Sequence, residues 1–153
     1  MKNVDANLLI IGSGPLEKKL SAKIEKLKTN AKITILDHVS TEELANFYHS
    51  CDIFVLPSIA KTEAFGIVQL EAMAAGKPVI NTDLPTGVPW VSIDGETGLT
   101  VPPKNPNALA KAINKLLKNP SLMAKYGRNA RMRVQKYFTQ SKMIKSINNI
   151  YNK

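Results

Sequence analysis

A short aliphatic run, Leu8-Leu9-Ile10-Ile11, opens the readable part of the chain and ends at Gly12-Ser13-Gly14-Pro15. An apolar run of this length, closed by turn residues, predicts a buried parallel strand feeding a helix. Pro15 suits the first helical position, where no backbone donor is needed. Leu16, Leu20, Ile24 and Leu27 follow at helical spacing, with Glu17, Lys18, Lys19, Lys23 and Lys26 between them, so one stripe packs and the rest is wet. A second strand is expected at Ile33–Leu36. Thr41-Glu42-Glu43 then opens a helix whose apolar face is Leu44, Phe47 and Tyr48. Ile53–Leu56 reads as a third strand, ending at Pro57-Ser58. Phe65 to Ala75 reads as a nearly buried helix closed by Gly76, and Pro78-Val79-Ile80 as a fourth strand. Pro85, Gly87, Pro89, Gly95 and Gly98 break the chain into turns, with a short strand at Gly98–Val101. Leu109, Ile113, Leu116 and Leu117 mark one later helix and Leu122–Tyr137 holds another. Ile144, Ile147, Ile150 and Tyr151 mark a terminal amphipathic piece.

Strands alternating with helices at this spacing predict an α/β fold, Rossmann-like, with a parallel sheet sandwiched by helices. The 153 residues suffice for one domain, residues 1–153, with one core. In such folds ligands sit at the carboxyl ends of the strands, here Gly12–Gly14, Asp37–Val39, Pro57–Glu63 and Asn81–Gly87.

Charge changes the picture more than composition does. The net charge is +9, and all 12 acidic residues lie at or before Glu96, so every charge from Lys104 onward is positive. The basic third is either a solvated helical face or a surface for anions such as nucleotide, acidic lipid or nucleic acid. No apolar stretch is long enough for a membrane span and the opening is too polar for a signal peptide, so the expectation is a cytoplasmic protein, peripheral at most to the inner membrane face. With one cysteine, Cys51, neither an intrachain disulfide nor a cysteine-based zinc site can form. The thiol reads as buried and inert rather than reactive.

Two segments carry candidate chemistry. Gly12-Ser13-Gly14 lets backbone amides approach an anion at a helix start. Position 17 is Glu, so the third glycine of a dinucleotide fingerprint is missing, which argues against a nicotinamide site. The richer segment is Glu63-Ala64-Phe65-Gly66-Ile67-Val68-Gln69-Leu70-Glu71, continued by Ala72-Met73-Ala74-Ala75-Gly76-Lys77-Pro78. A helix starting near Gly66 puts Glu63 in the loop ahead and Glu71 in the second turn of an otherwise apolar element. A carboxylate there needs partners, and the paired hydroxyls of a ribose or hexose would serve. The amides of Phe65 to Val68 would be free donors, suited to a diphosphate and to the charge it gains on leaving. Two structural alternatives stand beside this reading: Glu71 paired with a neighbouring lysine, and Glu63 as a helix N-cap.

These residues resemble the large retaining glycosyltransferase family of the two-domain GT-B type, which includes sucrose synthases and bacterial mannosyl- and glucosyltransferases. The likeness extends to Ile11-Gly12-Ser13-Gly14-Pro15, Asp52-Ile53-Phe54-Val55-Leu56-Pro57-Ser58 and Asp94-Gly95-Glu96-Thr97-Gly98-Leu99, all in the family's order. It implies that the chain is the C-terminal, donor-binding half of such an enzyme. Glu63 would hold the donor sugar's hydroxyls beside the reacting carbon, and Glu71 the ribose diol. Backbone groups of Phe65, Gly66, Ile67 and Val68 would contact sugar and phosphates. Gly12 and Gly14 would shape the nucleotide cleft and Val39 would lie beside the base. The partner implied is a nucleoside-diphosphate sugar such as a UDP- or GDP-hexose, passed to an acceptor hydroxyl in polysaccharide or glycolipid synthesis. No nucleic acid is expected, since exposed aromatics are too few for a stacking platform.

The resemblance implies no metal and no further cofactor. Asp94-Gly95-Glu96 reads as a hairpin turn rather than a metal-binding acid pair, and His38 and His49 lack ligand spacing. Asp37-His38 stands where the family usually has Gly, so His38 is either a base contact or a surface residue. Trp90 replaces a family glutamate, which removes a local donor contact of the family and either marks a subgroup with a different sugar preference or makes Trp90 a packing residue. The Arg and Lys with which the family reaches the diphosphate lie upstream of anything in this sequence, as does the acceptor domain, so the chain alone is expected to bind donor weakly without turnover. Two other functions are compatible with the pattern: a non-catalytic nucleotide-sugar-binding module and a GT-B type sugar-nucleotide epimerase.

Overall fold

The computed structural model describes residues 3–27 and 31–151, and the chain divides into two compact units, Met1–Asn46 and Phe47–Lys153. In the first unit, β1 (Leu8–Ile11) pairs in parallel with β2 (Ile33–Leu36), and α1 (Glu17–Glu25) connects them. The aliphatic run is half-buried rather than buried, Leu9 is exposed, and no residue of α1 is buried. Two strands and one helix hold too little chain to enclose a core. Pro15 lies in the turn before α1 rather than at its first position, because the amide of Glu17 closes a turn on the Gly14 carbonyl over 3.0 Å.

Helix α2 (Thr41–Ser50) starts on a capping box that the Ser-Thr-Glu-Glu order could have signalled. Ser40 Oγ accepts from the Glu43 amide at 3.2 Å, and the Ser40 amide donates to Glu43 Oε2 at 2.8 Å. These bonds hold the Glu43 carboxyl below its usual range.

The second unit contains the core. Strands β3 (Phe54–Leu56), β4 (Val79–Thr82) and β5 (Gly98–Val101) form a parallel sheet with β4 in the middle, so the strands lie in two sheets rather than one. Because β4 and β5 are parallel, the Asp94–Thr97 segment is a turn into β5, and the expected hairpin is not present. Helix α3 (Ile67–Ala74) links β3 to β4, and a four-residue helix, α4 (Val88–Val91), interrupts the segment expected to be turns. Helices α5 (Pro106–Leu117) and α6 (Pro120–Tyr137) each begin with proline at the first position behind an asparagine cap. Asn105 and Asn119 accept from Ala108 and Leu122 amides at 2.9 and 3.0 Å. The terminal helix is α7 (Gln140–Tyr151).

Two clusters fill the core, one around Ala72, Met73, Val79, Val91 and Ala130, the other around Ile80, Val101, Ala112, Leu116 and Tyr126. Helix α6 crosses the end of α3 closely enough that a Cβ at Gly127 would lie 2.1 Å from the Gly76 carbonyl oxygen. Only glycine permits that crossing. The second unit also holds a buried polar network around Asn81. Asn81 Nδ2 donates to Gln69 Oε1, the Val88 carbonyl and the Ser92 carbonyl at 2.9, 3.0 and 3.2 Å, and Asn81 Oδ1 accepts from Thr100 Oγ1 at 2.7 Å. Among the described residues no buried side-chain polar atom lacks a partner, as buried amides require.

Candidate functional site

The loop from β3 into α3 folds around Gly66, which takes φ 73° and ψ 62° at the helix N-cap. A side chain there would be strained, and its Cβ would meet Leu56 Cδ2 at 2.6 Å and Gln69 Nε2 at 2.8 Å. No side chain caps the helix. Among the described residues, the amides of Phe65, Gly66, Ile67 and Val68 donate to no protein acceptor. The helix therefore presents unpaired donors and its positive dipole end.

The carbonyls of this loop are held, and that sets where the amides face. Ala64 O accepts from the Gly87 amide at 2.7 Å, Phe65 O from Gln69 Nε2 at 3.1 Å, and Gly66 O from the Gln69 amide at 2.8 Å. In a trans peptide the N–H lies opposite the C=O, so each of these bonds turns the following amide, of Phe65, Gly66 or Ile67, the other way. Gln69 is fully buried and is itself held by Asn81. Sequence reasoning missed this pair, because a lone glutamine in an apolar helix and an asparagine at a strand end carry no mark of burial.

Thr62, Glu63, Ala64, Phe65, Gly66, Ile67 and Val68 line a pocket of about 370 Å³. Glu63 is half-buried in the loop and does not cap the helix, since the N-cap is Gly66. Glu71 lies one turn beyond Ile67 on the same stripe of α3. It is exposed rather than set in the apolar face, and its partner is Tyr48, not a lysine. The Tyr48 hydroxyl donates to Glu71 Oε2 at 2.7 Å, and burial together with that carboxylate pushes the phenol well above its usual pKa.

Trp90 on α4 is 58% exposed, with its ring 6.0 Å from Phe65 and 5.2 Å from Phe138 between centroids. Arg133 lies 5.7 Å from the indole centroid and donates to the carbonyls of Trp90 and Val91 at 2.7 and 2.9 Å. Trp90 thus packs on one side and is open on the other. Burial pushes the Cys51 thiol up, and its Sγ meets the Tyr48 carbonyl at 3.4 Å, an arrangement that leaves little thiolate.

In the first unit, Gly12 and Gly14 follow β1 as exposed backbone, and a Cβ on either would meet no protein atom within 4 Å. Val39 is half-buried between β2 and α2. His38 is 87% exposed, with Nε2 3.8 Å from Asp37 Oδ1.

An open helix mouth can accept an anion, and a carboxylate beside it at a strand's carboxyl end can accept from hydroxyls. Residues 1–133 match the family of group 1 glycosyl transferases, and the chain belongs to that family. It is 35% identical over 139 residues, 91% of the chain, to the D-rhamnosyltransferase WbpZ of Pseudomonas aeruginosa. It is 30% identical over 144 residues, 94% of the chain, to the O-antigen chain mannosyltransferase C of Escherichia coli. The chain spans 36% and 38% of the lengths of these two relatives. Among solved structures, the sucrose-phosphate synthase of Thermosynechococcus elongatus superposes with a TM-score of 0.84 at 33% identity, over 95% of this chain and 37% of that one.

Proposed function

We propose that this chain is the donor-binding half of a retaining glycosyltransferase, holding a nucleoside-diphosphate sugar for transfer to an acceptor hydroxyl in polysaccharide or glycolipid synthesis. The observation that carries the reading is the group of four unpaired amides, Phe65 to Val68, in one pocket with Glu63. Membership of the group 1 family and likeness to an O-antigen mannosyltransferase support the substrate class.

The chemistry follows from charge. Breaking the bond from the sugar's anomeric carbon to the diphosphate leaves the electron pair on a phosphate oxygen. Fixed amides at a helix start stabilise that oxygen without reorganisation, so no metal is required for the step. Glu63 accepts from sugar hydroxyls and holds the ring. The acceptor oxygen bonds to the anomeric carbon on the face the diphosphate leaves, and its proton passes to the departing phosphate. Glu71 holds the ribose. In the first unit, a Cβ at Gly12 or Gly14 would meet no protein atom within 4 Å, so that backbone is open. The acceptor is held by a separate domain.

The test is calorimetric titration with UDP-, GDP- and ADP-hexoses and with the matching free diphosphates. The parent chain is expected to bind one nucleotide class and to prefer the sugar-bearing form. Glu63→Ala should erase that preference by about tenfold, the worth of one charge-assisted hydrogen bond, and leave the free diphosphate's affinity unchanged. A preference that survives in the variant would remove Glu63 from the sugar, and no nucleotide binding would remove the function.

The same reading gives the basic third a place. Every residue of α7 is exposed, with Met143, Ile144, Ile147, Ile150 and Tyr151 at helical spacing and Lys142 and Lys145 on the helix. An apolar stripe on a cationic helix suits an anionic bilayer surface, where a lipid-linked acceptor would lie.

A further inference from the structure

Tyr48 and Glu71, 23 residues apart, are joined by a 2.7 Å hydrogen bond. An ionised carboxylate only accepts, so the phenol is the donor. The Tyr48 ring cannot follow a moving partner, because it packs against the cluster of Ala72, Met73 and Val79 and lies 5.7 Å from the Phe54 ring. Glu71 is exposed, and a free glutamate there would sample several rotamers that a ligand would have to freeze. The core-anchored phenol thus holds one oxygen of a carboxylate that would otherwise wander. Oε1 has no hydrogen-bond partner among the described residues, and a carboxylate held in one orientation can accept from two adjacent hydroxyls.

We propose that Tyr48 is a positioning residue that fixes the Glu71 carboxylate for a vicinal diol, so that the pair discriminates ribonucleotides from 2′-deoxyribonucleotides. The inference rests on the nucleotide-sugar reading and adds to it a residue and a specificity. Tyr48 remains a phenol, and so a donor, throughout the physiological range, since its proton is held more tightly than in a free tyrosine.

The probes are UDP, GDP and their 2′-deoxy counterparts, titrated into the full chain and its variants. The parent is expected to prefer whichever ribonucleotide it binds over the deoxy form by about tenfold or more. Tyr48→Phe keeps the ring and should weaken the ribonucleotide alone, bringing the ratio to within about threefold by the same hydrogen-bond arithmetic. Glu71→Asp keeps the charge, withdraws it by one methylene and should do the same. The two changes together should lower the ratio no further, as a shared interaction requires. A purely structural role would weaken both sugars equally and keep the ratio. An unchanged ratio in Tyr48→Phe overturns the inference. Should that variant fail to fold, an unchanged ratio in Glu71→Asp, altered only at an exposed side chain, overturns it. If the parent binds no nucleoside diphosphate, the nucleotide reading fails and this inference with it.

Discussion

At Gly66 the backbone stands in the left-handed region while two side-chain atoms occupy the space a Cβ would need. Both constraints act at the residue that turns the chain into α3. Gly66→Ala should cost about 2–4 kcal/mol in chemical denaturation, adding left-handed strain to overpacking. Donor affinity should fall as well, because Leu56 and Gln69 can yield only by moving the loop. A loss below about 0.5 kcal/mol, the range of a neutral surface change, would contradict the geometry. At this scale the sequence was legible in the loop that leads into α3. Glu63 and Phe65 to Val68 form one pocket as their spacing implied. Tyr48 was legible only as an apolar face, since its ring fits the helical stripe and nothing in the pattern tells where the hydroxyl goes. The burial expected for Glu71 was wrong for a related reason: an apolar helix near its start still has an exposed side, on which Ile67 and Glu71 both lie.

Elements followed their periodicity closely, and the exceptions have physical causes. Helix α4 escaped notice because Pro85 and Gly87 precede its four residues and Pro89 is the second of them, and proline at a helix start looks like a breaker. Its position is set from outside, by Gln69 and Asn81 on the Val88 carbonyl and Arg133 at its far end. Such long-range bonds leave no local signature. Helix α7 was legible as an amphipathic piece, and its exposed apolar stripe leads to a measurement. At low salt the chain should pellet with phosphatidylglycerol vesicles and not with phosphatidylcholine. Ile147→Glu should abolish pelleting, and about 1 M salt, where the Debye length is about 3 Å, should weaken it. Failure to pellet with acidic vesicles, or equal pelleting of the variant, would remove the membrane role.

Over the whole molecule, charge and core are distributed unequally. The buried clusters lie in the second unit, while the first, with Gly12, Gly14 and Val39, has Val4 as its only buried residue among those described. All 12 acids precede Lys104, so the carboxylates that would hold sugar hydroxyls and the cations that would meet a surface occupy different parts of the chain. Among the described residues no helix is long and apolar enough to cross a membrane. The fold class was legible because alternating strands and helices admit few arrangements. Division of the strands into two sheets was not, since strand order depends on pairings that hydrophobic runs do not encode. The most direct test of the central claim is an amide proton–nitrogen NMR titration of the chain with UDP- and GDP-hexose. The Phe65, Gly66, Ile67 and Val68 resonances should shift together and saturate with one donor. Saturable binding that left those four unmoved, or moved only resonances beyond Lys104, would contradict it.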